Sequence, residues 1–231
     1  MKSIDISIAL IVKDEEKSID AVLSEILLIT RQISPRSYEL FMIDGFSRDN
    51  TVKFAEKFGV KIIQVRGGKG DGVSRAIELA EGRYVIFIDG DGSHNPEDII
   101  RLIKAIDENK CDLVIASRIM GGSDELGGKN IDNFLRLLGN RLSTYIINLR
   151  WKMDLTDIQN GFRIIKRSTA LELKLEEKSF AVEQEMVMKC LKRNKAIIEI
   201  PGFERKRLYG SSKICKGREF WKYAWCLLKN L

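Results

Sequence analysis

The sequence predicts an α/β fold built on a mostly parallel sheet. Three observations carry this. Four apolar, β-branched runs fall within the first ~90 residues, helical patterns separate them, and each run ends abruptly in acidic or glycine-rich residues. That alternation is the signature of parallel strands joined by right-handed crossovers.

Ile4 to Val12 reads as the first buried strand, and Lys13-Asp14-Glu15-Glu16 then opens a helix to Ile33 whose acidic first turn suits the helix dipole. Tyr38 to Ile43 is the second strand. It ends in Asp44-Gly45-Phe46-Ser47-Arg48-Asp49-Asn50-Thr51, where Asp49 or Ser47 caps a helix from Thr51 to Phe58. Val60 to Val65 is the third strand, followed by Arg66-Gly67-Gly68-Lys69-Gly70-Asp71-Gly72 and a helix from Val73 to Ala80. Tyr84 to Ile88 is the fourth, and it stops in Asp89-Gly90-Asp91-Gly92-Ser93-His94. Pro96 and Glu97 start a helix to Glu108 with Asn95 as its cap, and Asp112 to Ala116 is a fifth strand ending in Ser117-Arg118.

The second half is less regular. Met120 to Lys129 reads as a glycine-rich loop, and Asn133 to Leu149 as a helix carrying Arg136 and Arg141. A polar turn from Asp157 leads into a short strand, Phe162 to Ile165. Ser168 to Leu175 and Glu183 to Arg193 are helical, and Ala196 to Ile200 is a strand halted by Pro201. Phe203 to Lys213 reads as a strand entering a basic loop. Phe220 to Leu231 mixes aromatics with Lys222 and Lys229, which suits either an interfacial helix on a membrane or a helix packed on the core.

The 231 residues suffice for one sizeable α/β domain or two small ones. The net charge of +6, from 39 basic and 33 acidic side chains, fits anionic small ligands or an anionic membrane surface and is weak evidence for nucleic acid. Cys111, Cys190, Cys215 and Cys226 are widely spaced, which argues against a zinc site or disulfide framework and makes a reducing cytoplasm the default. The sequence shows neither a signal-peptide core nor an apolar run of about 18 residues.

Two carboxylates one residue apart at a strand end, Asp89 and Asp91, are hard oxygen ligands suited to Mg²⁺ or Mn²⁺ shared with a phosphate. An isolated Asp-x-Asp is more often a solvated turn. Gly67-Gly68-Lys69-Gly70 lacks the spacing of a P-loop, and no dinucleotide fingerprint follows the first strand.

The ordered set is more specific than any member. Val12-Lys13-Asp14-Glu15, Asp44-x-x-Ser47-x-Asp49-x-Thr51, Gly68-Lys69-Gly70, Asp89-Gly90-Asp91, Ser117-Arg118, Asn160-Gly161-Phe162-Arg163 and Arg207-x-x-Gly210-x-Ser212-Lys213 follow one another along the chain. Together they resemble family 2 glycosyltransferases, and within them the polyprenyl-phosphate hexose synthases, the branch of dolichyl-phosphate mannose synthase. The resemblance implies a GT-A fold, a Rossmann-like sheet flanked by helices. Residues 1–116 would bind a nucleotide sugar, 117–213 would bind the acceptor, and 214–231 would form an amphipathic helix. It also implies inverting transfer of a hexose from GDP-mannose or UDP-glucose to a polyprenyl phosphate, at the cytoplasmic face of a membrane or on a membrane-anchored partner.

Carried over residue by residue, Val12, Lys13, Glu15, Asp44, Lys69, Gly70 and Asp89 would line the nucleotide. Asp89 and Asp91 would hold the metal, with Ser93 where the family often has Gln. Arg118, Arg136, Arg163 and Ser212 would meet the acceptor. Arg207 and Lys213 would close over the diphosphate. An ionised phosphate acceptor needs no general base, so Glu183 and Glu185 are expected to line the pocket or face solvent, and His94, the single histidine, to be structural at a helix start. This chain departs from the family at Lys13 (usually Tyr), Gly45 (usually Asp) and Phe46 (usually Gly), all in the nucleoside pocket. Two other readings stay open: transfer to a saccharide hydroxyl, with Glu183 as base, and nucleotide-sugar binding without catalysis.

Overall fold

Apolar strands in this chain are buried on both faces, which requires helices on both sides of the sheet. A computed structural model, describing residues 4–125, 131–210 and 216–231 with backbone only at 131–136 and 216–219, shows how this is met. Seven strands form one sheet: β1 (Ile6–Val12), β2 (Tyr38–Asp44), β3 (Lys61–Gln64), β4 (Tyr84–Asp89), β5 (Leu113–Ser117), β6 (Arg163–Lys166) and β7 (Ile197–Pro201). Their order is β3-β2-β1-β4-β6-β5-β7. β6 is antiparallel to β4 and β5, and the other neighbouring pairs are parallel.

Strand alternation divides the core in two. Ile6, Ile8 and Leu10 of β1 and Ile86 and Ile88 of β4 pack with Ile19, Leu23 and Ile26 of α1 (Ile19–Thr30) and Leu102 and Ile106 of α4 (Asp98–Asn109). Ala9, Val85 and Phe87 point the other way, onto Val73 and Ile77 of α3 (Lys69–Leu79) and Met186 and Val187 of α8 (Val182–Lys192). Each fully buried Ile or Leu contributes about 1.5–3 kcal/mol. The remaining helices are α2 (Thr51–Glu56), α5 (Arg118–Gly121), α6 (Ile131–Trp151), α7 (Arg167–Leu173) and α9 (Lys216–Asn230).

Three departures from the expected boundaries have a visible cause, in each a nearby group that captures backbone donors. α1 starts at Ile19, since the N–H groups of Asp14, Glu15 and Glu16 donate to Ser47 Oγ, Thr51 Oγ1 and Asp49 Oδ2 and bend the chain first. α3 starts four residues early, at Lys69, with Gly68 N donating to Asp71 Oδ2 at 2.9 Å. Residues 203–210 form no strand, only isolated bridges from Glu204 to His94 and Ser123, because Arg205 N and Leu208 N donate to the Ser93 and Asp91 carbonyls.

Candidate active site

β1, β2 and β4 are parallel neighbours, so their carboxyl ends place Val12, Asp44 and Asp89 along one edge. α3 begins at that edge, and its first residue reaches across it. Lys69 Nζ lies 2.8 Å from Asp89 Oδ1 and 2.9 Å from Glu183 Oε1. Burial disfavours the ammonium, yet the two carboxylates outweigh that and raise its pKa. Burial likewise pulls Asp89 up, but Lys69 and then His94 more than offset it, so Asp89 stays ionised. Gly161 closes the group from below, and a Cβ there would stand 2.9 Å from Lys69 Nζ. Glu183 is buried, and its Oε2 has no hydrogen-bond partner among the described residues.

Asp91 is buried and held at both ends. Ser93 donates its N–H (2.9 Å) and hydroxyl (2.7 Å) to Oδ1, and Arg207 Nη1 lies 2.9 Å from Oδ2. Residues 203–208 thus form a strap along the Asp91 loop. Its further ties run from Arg205 to Asn95 (2.7 Å) and Glu25 (3.1 Å), and from Arg207 N to Glu125 Oε1 (3.2 Å). Gly92, at φ 78°, leaves room for Leu208, which a Cβ there would overlap at 2.6 Å. His94 is buried rather than capping a helix. It stacks on Phe162 with centroids 4.9 Å apart and accepts the Asp89 N–H at Nδ1.

On the other flank, the Arg118 guanidinium grips Asp157 through Nε (2.6 Å) and Nη2 (2.9 Å), and reaches Glu204 through Nη1 (3.2 Å). Burial pulls Asp157 up, but Arg118, with hydrogen bonds from Asn140 and the Arg118 N–H, holds it below the usual carboxylate range. Arg118 therefore stands beside the strap as a positioned cation.

The side expected to take the nucleoside is a laced pair of turns. Arg48 N donates to Asp14 Oδ1 at 2.7 Å, and Gly45 N to the Val12 carbonyl at 2.8 Å. Lys13 is exposed, its stem 3.2 Å from where a Gly45 Cβ would be. Glu15 is half-buried, and its Oε2 accepts the Ser18 hydroxyl at 3.3 Å. Gly70 is buried against the Glu177 carbonyl.

Three expectations meet a different geometry. Arg163 is 1% exposed and donates to the carbonyls of Asn160, Ile158 and Glu183, so it fastens the turn before β6 and does not reach an acceptor. Asp44 is 0% exposed, its carboxylate taken by Ser47 and by Gln64 Nε2 (3.0 Å), so it shapes its turn from within. Glu185 faces neither pocket nor solvent: it is buried against Lys189 and the N–H groups of Glu176 and Glu177. Ser212, Lys213 and the Arg136 side chain lie outside the described residues.

Sequence reasoning missed the Lys69–Glu183 pair and the role of Glu204. Glu183 shares a helix face with Val187 and Cys190, at i+4 and i+7, and that was a readable signal for burial. Glu204 had none, since its partners come from distant segments. Among the described residues no group of three or more His, Cys, Asp or Glu side chains gathers as a metal site. Asp91 and Asp89 are hard donors, each already paired with a cation. That set suits an Mg²⁺ or Mn²⁺ that draws its other ligands from a diphosphate and water.

The profile described as Glycosyl transferase family 2 matches residues 7–173. An uncharacterized protein of Methanocaldococcus jannaschii is 29% identical over 75% of this chain and 80% of its own length. Glycosyltransferase AglJ of Haloferax volcanii is 30% identical over 70% of this chain and 52% of its own length. A dolichol-phosphate mannosyltransferase of Pyrococcus furiosus is 27% identical over 94% of this chain, which spans 61% of that relative. Among solved structures, glucosyl-3-phosphoglycerate synthase from Mycobacterium tuberculosis, in complex with Mn²⁺, UDP and phosphoglyceric acid, superposes with a TM-score of 0.76 at 20% identity. That match covers 98% of this chain and 78% of the other.

Proposed function

This chain belongs to glycosyltransferase family 2 and has a GT-A fold, and from that premise we propose that it transfers a hexose, with inversion, from a nucleotide sugar to a polyprenyl phosphate. The observation that carries this reading is three cations gathered at one sheet edge, each held by a carboxylate. Lys69 and Arg207 stand on the two carboxylates of the donor side, and Arg118 stands on the acceptor side. The likeness to a dolichol-phosphate mannosyltransferase over nearly the whole chain supports the lipid phosphate.

In this reading an acceptor phosphate oxygen attacks the anomeric carbon, and the bond from that carbon to the nucleoside diphosphate breaks. The phosphate is already ionised, so no proton need be removed; the task is to bring two anions together. Arg118 is suited to it as a fixed positive charge, because Asp157 takes its fork through Nε and Nη2 and holds its orientation. Arg207 leaves Asp91 for the departing diphosphate, where charge develops. A divalent cation held through Asp91, with Asp89 and Ser93 beside it, would supply further charge neutralisation on that leaving group. GDP-mannose and UDP-glucose are the first donors to try.

The acceptor's lipid places the protein at a membrane surface, on its cytoplasmic side, directly or through a membrane-anchored partner. α6 and α9 pack together and expose Leu142, Tyr145, Leu149, Trp221, Trp225 and Leu228. These helices carry Arg136, Arg141, Arg150, Lys216, Arg218, Lys222 and Lys229 against Asp132 and Glu219. The basic balance of these two sequences, with the exposed apolar and aromatic side chains and the exposed Arg141 and Arg150, suits an anionic lipid surface. No helix among the described residues is long and apolar enough to cross a membrane.

A second reading, transfer to a saccharide hydroxyl, draws on the buried, partly unpaired Glu183 as base. Labelled nucleotide sugars incubated with vesicles containing polyprenyl phosphate test the first. Labelled lipid formed with Mg²⁺ or Mn²⁺ and lost in EDTA is expected. Transfer only to saccharides, abolished by Glu183→Gln, would replace it with the second.

A further inference from the structure

β1, β2 and β3 run in parallel, with Val12 beside Asp44 and Asp44 beside Gln64. Just beyond these ends, side by side, stand Lys13, Phe46 and Arg66. Phe46 and Arg66 each lie two residues past a register pair, and the Arg66 guanidinium carbon sits 4.8 Å from the centre of the Phe46 ring. Phe46 is 37% exposed, and among the described residues it is the one exposed aromatic past the carboxyl ends of these three strands.

Its backbone is unusual as well. Phe46 has φ 59°, the left-handed region that a bulky residue rarely adopts. Such conformations persist where the surroundings enforce them, and they cluster at ligand sites. Here the enforcement is visible: Gly45 N is tied to the Val12 carbonyl and Ser47 N to the Asp44 carboxylate, so the residue between them is turned outward. Asp44, the carboxylate of this turn, is itself buried and engaged, which leaves the Phe46 ring with the cations Lys13, Arg48 and Arg66 among the exposed side chains.

We propose that Phe46, backed by Arg66, is the platform on which the donor's nucleobase stacks. The proposal rests on the nucleotide-sugar reading above and adds the residue that grips the base. The spacing fits. Phe46 is two strands from Asp89, and strands about 4.8 Å apart put it about 10 Å away across the sheet, the reach of a nucleoside from its diphosphate. The chemistry fits too: a flat base offers a π-face to the ring, and the guanidinium extends the stack.

Calorimetric titration of the full chain with UDP, GDP and inorganic pyrophosphate, with Mg²⁺, tests it. Phe46→Gly suits the turn's positive φ and so keeps the fold. It is expected to weaken the bound nucleoside diphosphate about tenfold while pyrophosphate affinity stays as in the parent protein. Phe46→Trp is expected to restore nucleotide binding, and Arg66→Gln to weaken it less than Phe46→Gly does. Nucleotide affinity unchanged in Phe46→Gly, with the parent protein binding normally, overturns the platform alone. A parent protein that binds pyrophosphate but neither nucleotide overturns the donor reading and the platform with it.

Discussion

Asp157 shows what single residues contribute here. It is wholly buried, and Arg118 is its counter-ion. Removing one partner of such a pair leaves an uncompensated charge in the interior. Asp157→Ala is expected to lower unfolding free energy by about 3–5 kcal/mol in urea titrations at neutral pH. The same pair sets an acid limit. Asp157 titrates below its ordinary 3.8, so its stabilisation is complete above that value and is lost as pH falls through the depressed one. The parent protein therefore loses stability on acidification below 3.8, and Asp157→Ala, lacking the titrating group, loses less over that window. At this scale the sequence was readable in identity but not in orientation. Asp89 and Asp91 could be picked out by spacing, and Lys69 and Arg118 by the resemblance that the ordered motifs carry. That Arg163 turns inward could not, because its partners are backbone carbonyls of a turn that exists only once β6 is in place.

Among the elements, α3 links fold to site. Its first turn lies so close to the 177–178 backbone that a Cβ on Gly70 would stand 1.9 Å from the Glu177 carbonyl oxygen. No rotation of a side chain relieves a backbone clash, so Gly70→Ala must push α3 away and carry Lys69 from Asp89. A destabilisation of about 1–3 kcal/mol is expected in thermal or denaturant unfolding, together with weaker nucleotide binding by titration. Strands were legible because apolar runs ending in Asp or Gly leave little choice of boundary. The start of α1 was not. Its would-be first N–H groups are taken by Ser47, Asp49 and Thr51, more than thirty residues away, and local propensity carries no trace of that.

At the scale of the molecule, one sheet draws its strands from both halves of the chain, and the exposed face of α6 and α9 lies apart from its core. If that face meets lipid, Trp221→Ala with Trp225→Ala should reduce co-sedimentation with phosphatidylserine-containing vesicles several-fold and leave unfolding free energy within about 0.5 kcal/mol. Equal sedimentation of parent and variant would assign the face another role. The general architecture was foreseeable from alternating runs, but the reversal of β6 was not, since a four-residue strand reads the same in either direction. That reversal has an evolutionary consequence. The turn entering β6, not one leaving it, faces the open edge, and its Gly161 stands against Lys69 and Asp89. In the proposed transfer that one turn would join the donor-side carboxylate to the stretch leading from Asp157, the partner of Arg118. A lineage that rewrote this segment would then alter the fit of both partner molecules at once, while the outer strands of the sheet were inherited intact.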